Sequence, residues 1–225
     1  MAIKLVVLDM AGTTIRDENV VRDSFITAFK NYKIRVTAEE VDPLMGYHKP
    51  GAIRSLLEKR NIADDKILSD LIHQDFQDIM HHYYTQHPNV QPMEEAEMII
   101  SELKRSGKKV ALNTGFSRKI AQAILDRVGW MKKNLVDDLI ASDEVPQGRP
   151  EPHMIHNLMR RAGITNPSEV AKVGDTPVDI EEGLKAGCRI VVGVTTGPFN
   201  AEELVNHHPT HLLHSLYPLP VTVEG

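Results

Sequence analysis

The stretch VVLDMAGTTIRDE, Val6 to Glu18, runs apolar residues into Asp9 and then turns through Gly12-Thr13-Thr14. Lys4 to Asp9 is short and apolar on both parities, the pattern of a strand buried on both faces, as in a parallel sheet. A carboxylate that ends such a strand ahead of a Gly-Thr turn is the arrangement of a phosphate-handling site. Such sites usually carry a second carboxylate two positions on, and here that position is Ala11. Residues two apart along a strand point the same way, so Ala11 faces the site beside Asp9.

Past the turn, residues 19–87 read as helical. In VVRDSFITAFKNY, Val21, Phe25 and Phe29 recur on one face, and in TAEEVDPLM Thr37 followed by Glu40 is a capping-box pattern. GAIRSLLEKRN and DKILSDLIHQDFQDIMHHYYTQH supply two more helices, with no strand signal between them. From Met93 the pattern changes. Helix EEAEMIISELKRSG, strand KKVALNT, helix SRKIAQAILDRVG, a short strand near Leu139 to Ser142, helix PHMIHNLMRRAG, strand EVAKVGD, helix PVDIEEGLKAG and strand CRIVVGV alternate. Alternation predicts an α/β fold with a Rossmann-like parallel sheet covered on both faces. The expected core comprises residues 1–18 and 88–225, with a helical cap, 19–87, inserted after the first strand. The tail YPLPVTVEG reads as loosely held.

Composition narrows the function classes. The 225 residues are 41% hydrophobic and 25% charged, a globular balance. A net charge of -5 offers no basic field for nucleic acid, so a phosphorylated ligand needs a local cluster of donors. No run reaches about 18 consecutive apolar residues and no secretory leader is evident, which predicts a cytoplasmic protein without membrane partners. The one cysteine, Cys188, reads as a small buried hydrophobe.

Ligands of open α/β sheets gather at the carboxyl ends of the strands. Those ends carry Asp9, Thr114 and Asp175, with Arg149 on a loop between the last two. DMAGT, NTG, GRPEPHM and VGDTPVDIEEG, in this order, resemble the four motifs of the haloacid dehalogenase superfamily. Within it the chain is similar to the phosphonatases, in D-x-A-G-T-T, in arginine at the third motif, and in M-G-x-x-K within the cap.

The resemblance implies Mg²⁺ as cofactor and a small phosphonate or phosphorylated metabolite as substrate. It makes Asp9 the nucleophile, which forms an aspartyl-phosphate and splits one hard displacement into two. Asp9, Asp175 and the carbonyl of Ala11 become metal ligands, with Asp179 as a nearby outer partner. Oxygen donors of this kind suit a hard cation. Thr114 and Gly115 precede a helix whose free N–H groups suit phosphoryl oxygens, and the fork of Arg149 suits the same group. Thr13 and Gly46 complete the implied substrate contacts. A homodimer formed through the cap is also implied.

In the superfamily's phosphomonoesterases the missing carboxylate protonates the leaving alkoxide, a contribution of roughly 10² to 10⁴-fold. Carbon–phosphorus cleavage expels a carbanion instead. A lysine that forms an imine with a neighbouring aldehyde supplies an electron sink, and alanine leaves it room. Lys49, in MGYHKPG, is the candidate. Its amine must lose the ordinary pKa of about 10.4, through burial and neighbouring cations such as Arg149.

Two positions depart from the phosphonatase pattern. Ala52 stands where a proton-shuttling histidine is expected, and Phe116 where a tyrosine is; His48 or Tyr47 are the substitutes the sequence offers. His81, His82, His207, His208, His211 and His214 lack accompanying ligands and do not read as a metal site. Three readings follow: a phosphonatase-type hydrolase, a phosphatase of the same fold without the imine step, and a non-catalytic phosphate-binding protein.

Overall fold

A computed structural model describes residues 2–62 and 65–224; Met1, at the start of the expected core, and Gly225, at the end of the tail, lie outside the described residues. Strand β1 (Leu5–Leu8) leads into helices α1 (Val20–Asn31), α2 (Ala38–Val41), α3 (Lys49–Glu58) and α4 (Lys66–Gln86). Then α5 (Ala96–Arg105), β2 (Lys109–Thr114), α6 (Arg118–Val128), β3 (Asp138–Ala141), α7 (His153–Ala162), β4 (Val170–Gly174), α8 (Pro177–Lys185) and β5 (Ile190–Val194) alternate. The chain closes with α9 (Ala201–Val205), β6 (His211–Leu213) and α10 (Leu219–Thr222).

Among the described residues the strands form one parallel sheet in the order β3-β2-β1-β4-β5-β6. The chain winds outward from β1 to β3 and then restarts on the other side of β1 with β4. Strand order therefore reverses between β1 and β4, where such sheets bind ligands beyond their carboxyl ends. Leu8 pairs with both Leu112 and Val173, so Asp9, Asn113 and Gly174 follow level with one another.

Strand periodicity divides the core. Val6, Leu8, Leu112 and Val173 face one side with Ile99, Leu103 and Ile124, while Leu5, Val7, Ala111 and Val191 face the other with Ile155 and Leu158. Each fully buried aliphatic side chain contributes about 1.5–3 kcal/mol. In the helical region, Val21, Phe25 and Phe29 of α1 meet Ile72, Phe76 and Met80 of α4, with the Phe25 and Phe76 rings 4.5 Å apart. Asp17 Oδ1 accepts the Val20 N–H at 2.8 Å and so caps α1; Asp65 does the same for α4 through Leu68, at 2.9 Å. The two chain crossings beside β1 are tied together, Arg16 N–H to Gln91 O at 3.0 Å and Met93 N–H to Thr14 O at 2.9 Å.

The C-terminal tail is not loosely held. Leu216, Leu219 and Val223 are fully buried, α10 packs on α5, and the Leu216 N–H donates to Glu95 Oε1 at 3.1 Å. Three apolar side chains at helical spacing outweigh the prolines that read as a breaker. Edge strand β6 is a further element the sequence pattern did not signal, since three residues are too few to show a period.

Candidate active site

Four loops deliver polar side chains to one narrow cavity with a volume of about 30 Å³. Asp9, Ala11, Thr114, Gly115, Arg149 and Asp175 line it from the sheet side, and Asp17, Met45, Gly46 and Lys49 from the helical side, with Phe116 on the wall between. The expected nucleophile, phosphoryl donors and lysine thus converge on one space.

Asp9 is buried, and its N–H donates to Val173 O at 3.0 Å, fixing the carboxylate just past the strand end. Burial lifts its carboxyl to about 6 against the pull of Arg149, with the neighbouring Asp179 adding to the rise. Asp175 is pushed well above the ordinary carboxylate range by burial and by the Asp9 and Asp179 charges. Thr13 Oγ1 donates to Asp175 Oδ1 at 2.7 Å, so Thr13 orients Asp175 and does not itself line the cavity. Two glycines make the space around that carboxylate. A Cβ on Gly12 would lie 2.3 Å from Asp175 Oδ2 and one on Gly197 1.8 Å from it, and Gly12 also holds a φ of +89° that favours glycine.

Arg149 spends its guanidinium on the protein. Its Nε reaches Glu182 Oε2 at 3.1 Å, Nη1 reaches Asp9 Oδ1 at 2.6 Å and Asp179 Oδ1 at 3.0 Å, and Nη2 donates to the backbone and side-chain oxygens of Asn113 at 2.8 and 2.7 Å. The surrounding carboxylates outweigh the cost of burial and raise its pKa further. Beneath it lies Lys172, fully buried in β4, with Nζ 2.8 Å from Asp179 Oδ1 and 2.7 Å from Asn113 Oδ1. Asp179 pays the largest desolvation of its influences, yet Arg149 and Lys172 together hold its carboxyl below the usual value. Its Oδ2 accepts from the Thr176 hydroxyl and N–H at 2.5 and 3.2 Å, capping α8.

Asp9, Asp175 and Asp179 offer carboxylate oxygens within 4.8 Å of one another, and among the described residues they are the one such group of three able to hold a metal ion. The donor chemistry fits a hard divalent cation. Charge fits it too. Arg149 and Lys172 face four buried carboxylates, those of Asp9, Asp175, Asp179 and Glu182, leaving a deficit of two when all are ionised. Among the described residues the C-terminal histidines join no such group: His207 pairs with Glu181 at 3.0 Å and His214 with the Thr195 hydroxyl at 3.1 Å.

Lys49 opens α3 and is only 4% exposed. Its Nζ lies 5.7 Å from the ring centroids of both Phe25 and Phe116, and no carboxylate hydrogen-bonds it among the described residues. Burial first, and the Arg149 charge second, lower its pKa to about 8. Phe116 therefore supplies apolar wall where a tyrosine was expected. Ala52, one turn along α3, is buried in the helical core and offers no proton. His48 is half-buried at the head of α3 and borders a smaller neighbouring cavity with His73, one that Lys49 and Gly115 also line; neither His48 nor Tyr47 lines the main one.

Glycines allow close approach between the loops that carry Gly46, Gly115 and Thr176. A Cβ on Gly115 would sit 2.8 Å from the Gly46 carbonyl oxygen, and one on Gly46, at φ +82°, would sit 2.5 Å from both Thr176 Oγ1 and Val178 Cγ2. Sequence reading missed Lys172, Asn113, Glu182, Gly197 and Asp17. For Lys172 a signal was present, a lone charge inside an otherwise apolar strand with both faces covered.

A family profile described as haloacid dehalogenase-like hydrolase matches residues 3–187, and the chain belongs to that family of hydrolases. Within the family the likeness is to the phosphonatase-like group. The phosphonoacetaldehyde hydrolase of Bacillus cereus is 30% identical over 207 residues, covering 88% of this chain and 77% of that protein. A phosphonoacetaldehyde hydrolase-like protein from Oleispira antarctica shares the fold at a TM-score of 0.82, with 24% identity over 100% of this chain and 93% of the other. A protein from Haemophilus somnus described as a predicted phosphoglycolate phosphatase has the same fold at 0.79, with 19% identity over 96% of each chain.

Proposed function

We propose that the protein is a Mg²⁺-dependent hydrolase that cleaves the carbon–phosphorus bond of phosphonoacetaldehyde or a close relative, through an imine on Lys49 and an aspartyl-phosphate on Asp9. The observation that carries the reading is the Lys49 amine. It is buried between two phenyl rings, has a pKa lowered to about 8, and opens on the same cavity as Asp9. A phosphomonoesterase has no use for such an amine, whereas an imine-forming enzyme requires one. Ala11 supports the same reading, because it leaves room for the adduct where a carboxylate would hold the lysine protonated.

In this mechanism the Lys49 amine adds to the aldehyde and water leaves, giving an iminium. The Asp9 carboxylate attacks phosphorus, and the C–P electron pair moves into a carbon–carbon double bond as the iminium becomes an enamine. Protonation at carbon restores the iminium, whose hydrolysis releases acetaldehyde, while water hydrolyses the aspartyl-phosphate. Arg149 holds Asp9 in place throughout, and Thr114 with the Gly115 backbone receives the phosphoryl oxygens. Asp9, Asp175 and the Ala11 carbonyl would hold Mg²⁺, with Asp179 behind, and the ion would neutralise charge between phosphoryl and carboxylate oxygens. Residues 19–87 act as the cap that excludes water.

Phosphate release from phosphonoacetaldehyde, set against a panel of phosphate esters, tests the reading. Turnover of the phosphonate with borohydride-dependent labelling of Lys49 supports it. Ester turnover without labelling would assign the protein instead as a phosphatase, a reading that the loss of polar groups at Ala52 and Phe116 favours.

A further inference from the structure

Imine formation moves protons, and the residues expected to move them are gone from this cavity. Ala52 and Phe116 carry no exchangeable proton, and His48 borders the smaller cavity on the other side of Lys49, away from Asp9. Among the ionisable residues lining the main cavity, Asp9 and Arg149 are paired with each other and Asp175 is held by Thr13. That leaves Asp17. It lines the same cavity as Lys49, on the helical side. Backbone N–H groups at the start of α1 hold its carboxylate, with Val20 at 2.8 Å, which fixes its direction. A carboxylate has roughly four acceptor sites, so this cap leaves capacity for a proton. The charges of Asp17 and Lys49 act on each other, and burial raises the Asp17 carboxyl above its ordinary value, narrowing the gap between the two groups.

We propose that Asp17 is the proton-transfer residue of the Lys49 imine, a role that rests on reading Lys49 as the imine-forming lysine. The Lys49 ammonium passes one proton to the Asp17 carboxylate. The free amine adds to the aldehyde carbon, and a nitrogen proton moves to the former carbonyl oxygen, giving a neutral carbinolamine. Asp17 then protonates the hydroxyl, which leaves as water while the nitrogen lone pair forms the C=N bond. One positive charge enters as ammonium and remains as iminium, and Asp17 ends ionised. Hydrolysis of the iminium runs the same steps backwards.

Acetaldehyde with borohydride isolates this step, because it engages Lys49 without phosphoryl transfer. Asp17→Asn keeps an oxygen to cap α1. The expected result is an adduct that still forms at Lys49 but about 10² to 10⁴-fold more slowly, the usual span for general acid–base catalysis, with added formate restoring part of the rate. Phosphonoacetaldehyde turnover should fall in step. An Asp17→Asn protein labelled at the wild-type rate overturns the proposal, and so does slowing that formate leaves untouched, which makes Asp17 structural only. Wild type that never labels removes the Lys49 reading and this proposal together, whereas labelled wild type with unaffected Asp17→Asn removes this proposal alone.

Discussion

Ala11→Asp returns to the cavity the carboxylate that the strand-and-turn pattern leads one to expect, and its effect follows from the state of Lys49. At a pKa of about 8, about a quarter of the amine is unprotonated at pH 7.5, against about a thousandth at the free value near 10.4. An opposite charge within about 4–6 Å shifts a pKa by roughly one to three units towards the charged form. Ala11→Asp should therefore cut the reactive amine by roughly 10- to 800-fold near neutrality, before any crowding of the adduct. The sign is fixed: the amine reacts only when neutral, so labelling rises with pH through the Lys49 pKa. The assay is the rate of borohydride-dependent labelling of Lys49 across pH. Wild type should show a midpoint near 8 and the variant one at least a unit higher. Weak phosphate-ester turnover should rise in the same variant, because an acid for the leaving alkoxide is back. A wild-type midpoint at the ordinary lysine value, or no displacement in the variant, would show that burial and neighbouring charge do not set the reactivity of Lys49.

Asp9→Asn should lower phosphate release by at least about 10³-fold while leaving the fold intact, since the amide oxygen still accepts from Arg149; circular dichroism and turnover check both halves. Lys172→Met removes one of the two buried cations that serve the Asp179 carboxylate and Asn113 Oδ1, leaving Arg149 alone to both, and urea unfolding should show a loss of about 3 kcal/mol. Metal dependence carries a pH signature. Without a cation Asp9 binds its proton more tightly folded than unfolded, so that contribution to stability is full below the unfolded value near 3.8 and is lost as pH rises through about 6. Mg²⁺ should therefore raise Tm far more at pH 7.5 than at about pH 5; equal shifts at both would remove these carboxylates as the ligands.

Much of the fold is legible because hydrophobic period survives in the local sequence. Val21, Phe25 and Phe29 mark a helix face and Lys4 to Asp9 a buried strand without reference to anything distant. The tail shows the limit: its prolines argue against structure locally, and only the groove beside α5 makes burying Leu216, Leu219 and Val223 worthwhile. The motifs likewise name Asp9, Thr114, Arg149 and Asp175, because their strand ends set them at one edge of any parallel sheet.

What the motifs leave open is how those groups are paired. Arg149 reads as a phosphoryl ligand until its donors are found on Asp9, Asp179, Glu182 and Asn113. Lys172 and Glu182 become partners only because β4 and α8 stack across the sheet. The class of fold, the sheet edge that carries the candidate site and the identity of the nucleophile candidate were legible in the chain itself, since each depends on local period and on strand termini. Tertiary structure alone decided the charge balance of the buried cluster, the apolar enclosure of Lys49 and the position of Asp17 in its cavity. Those depend on distance and dielectric, which act through space between residues that the chain order keeps far apart.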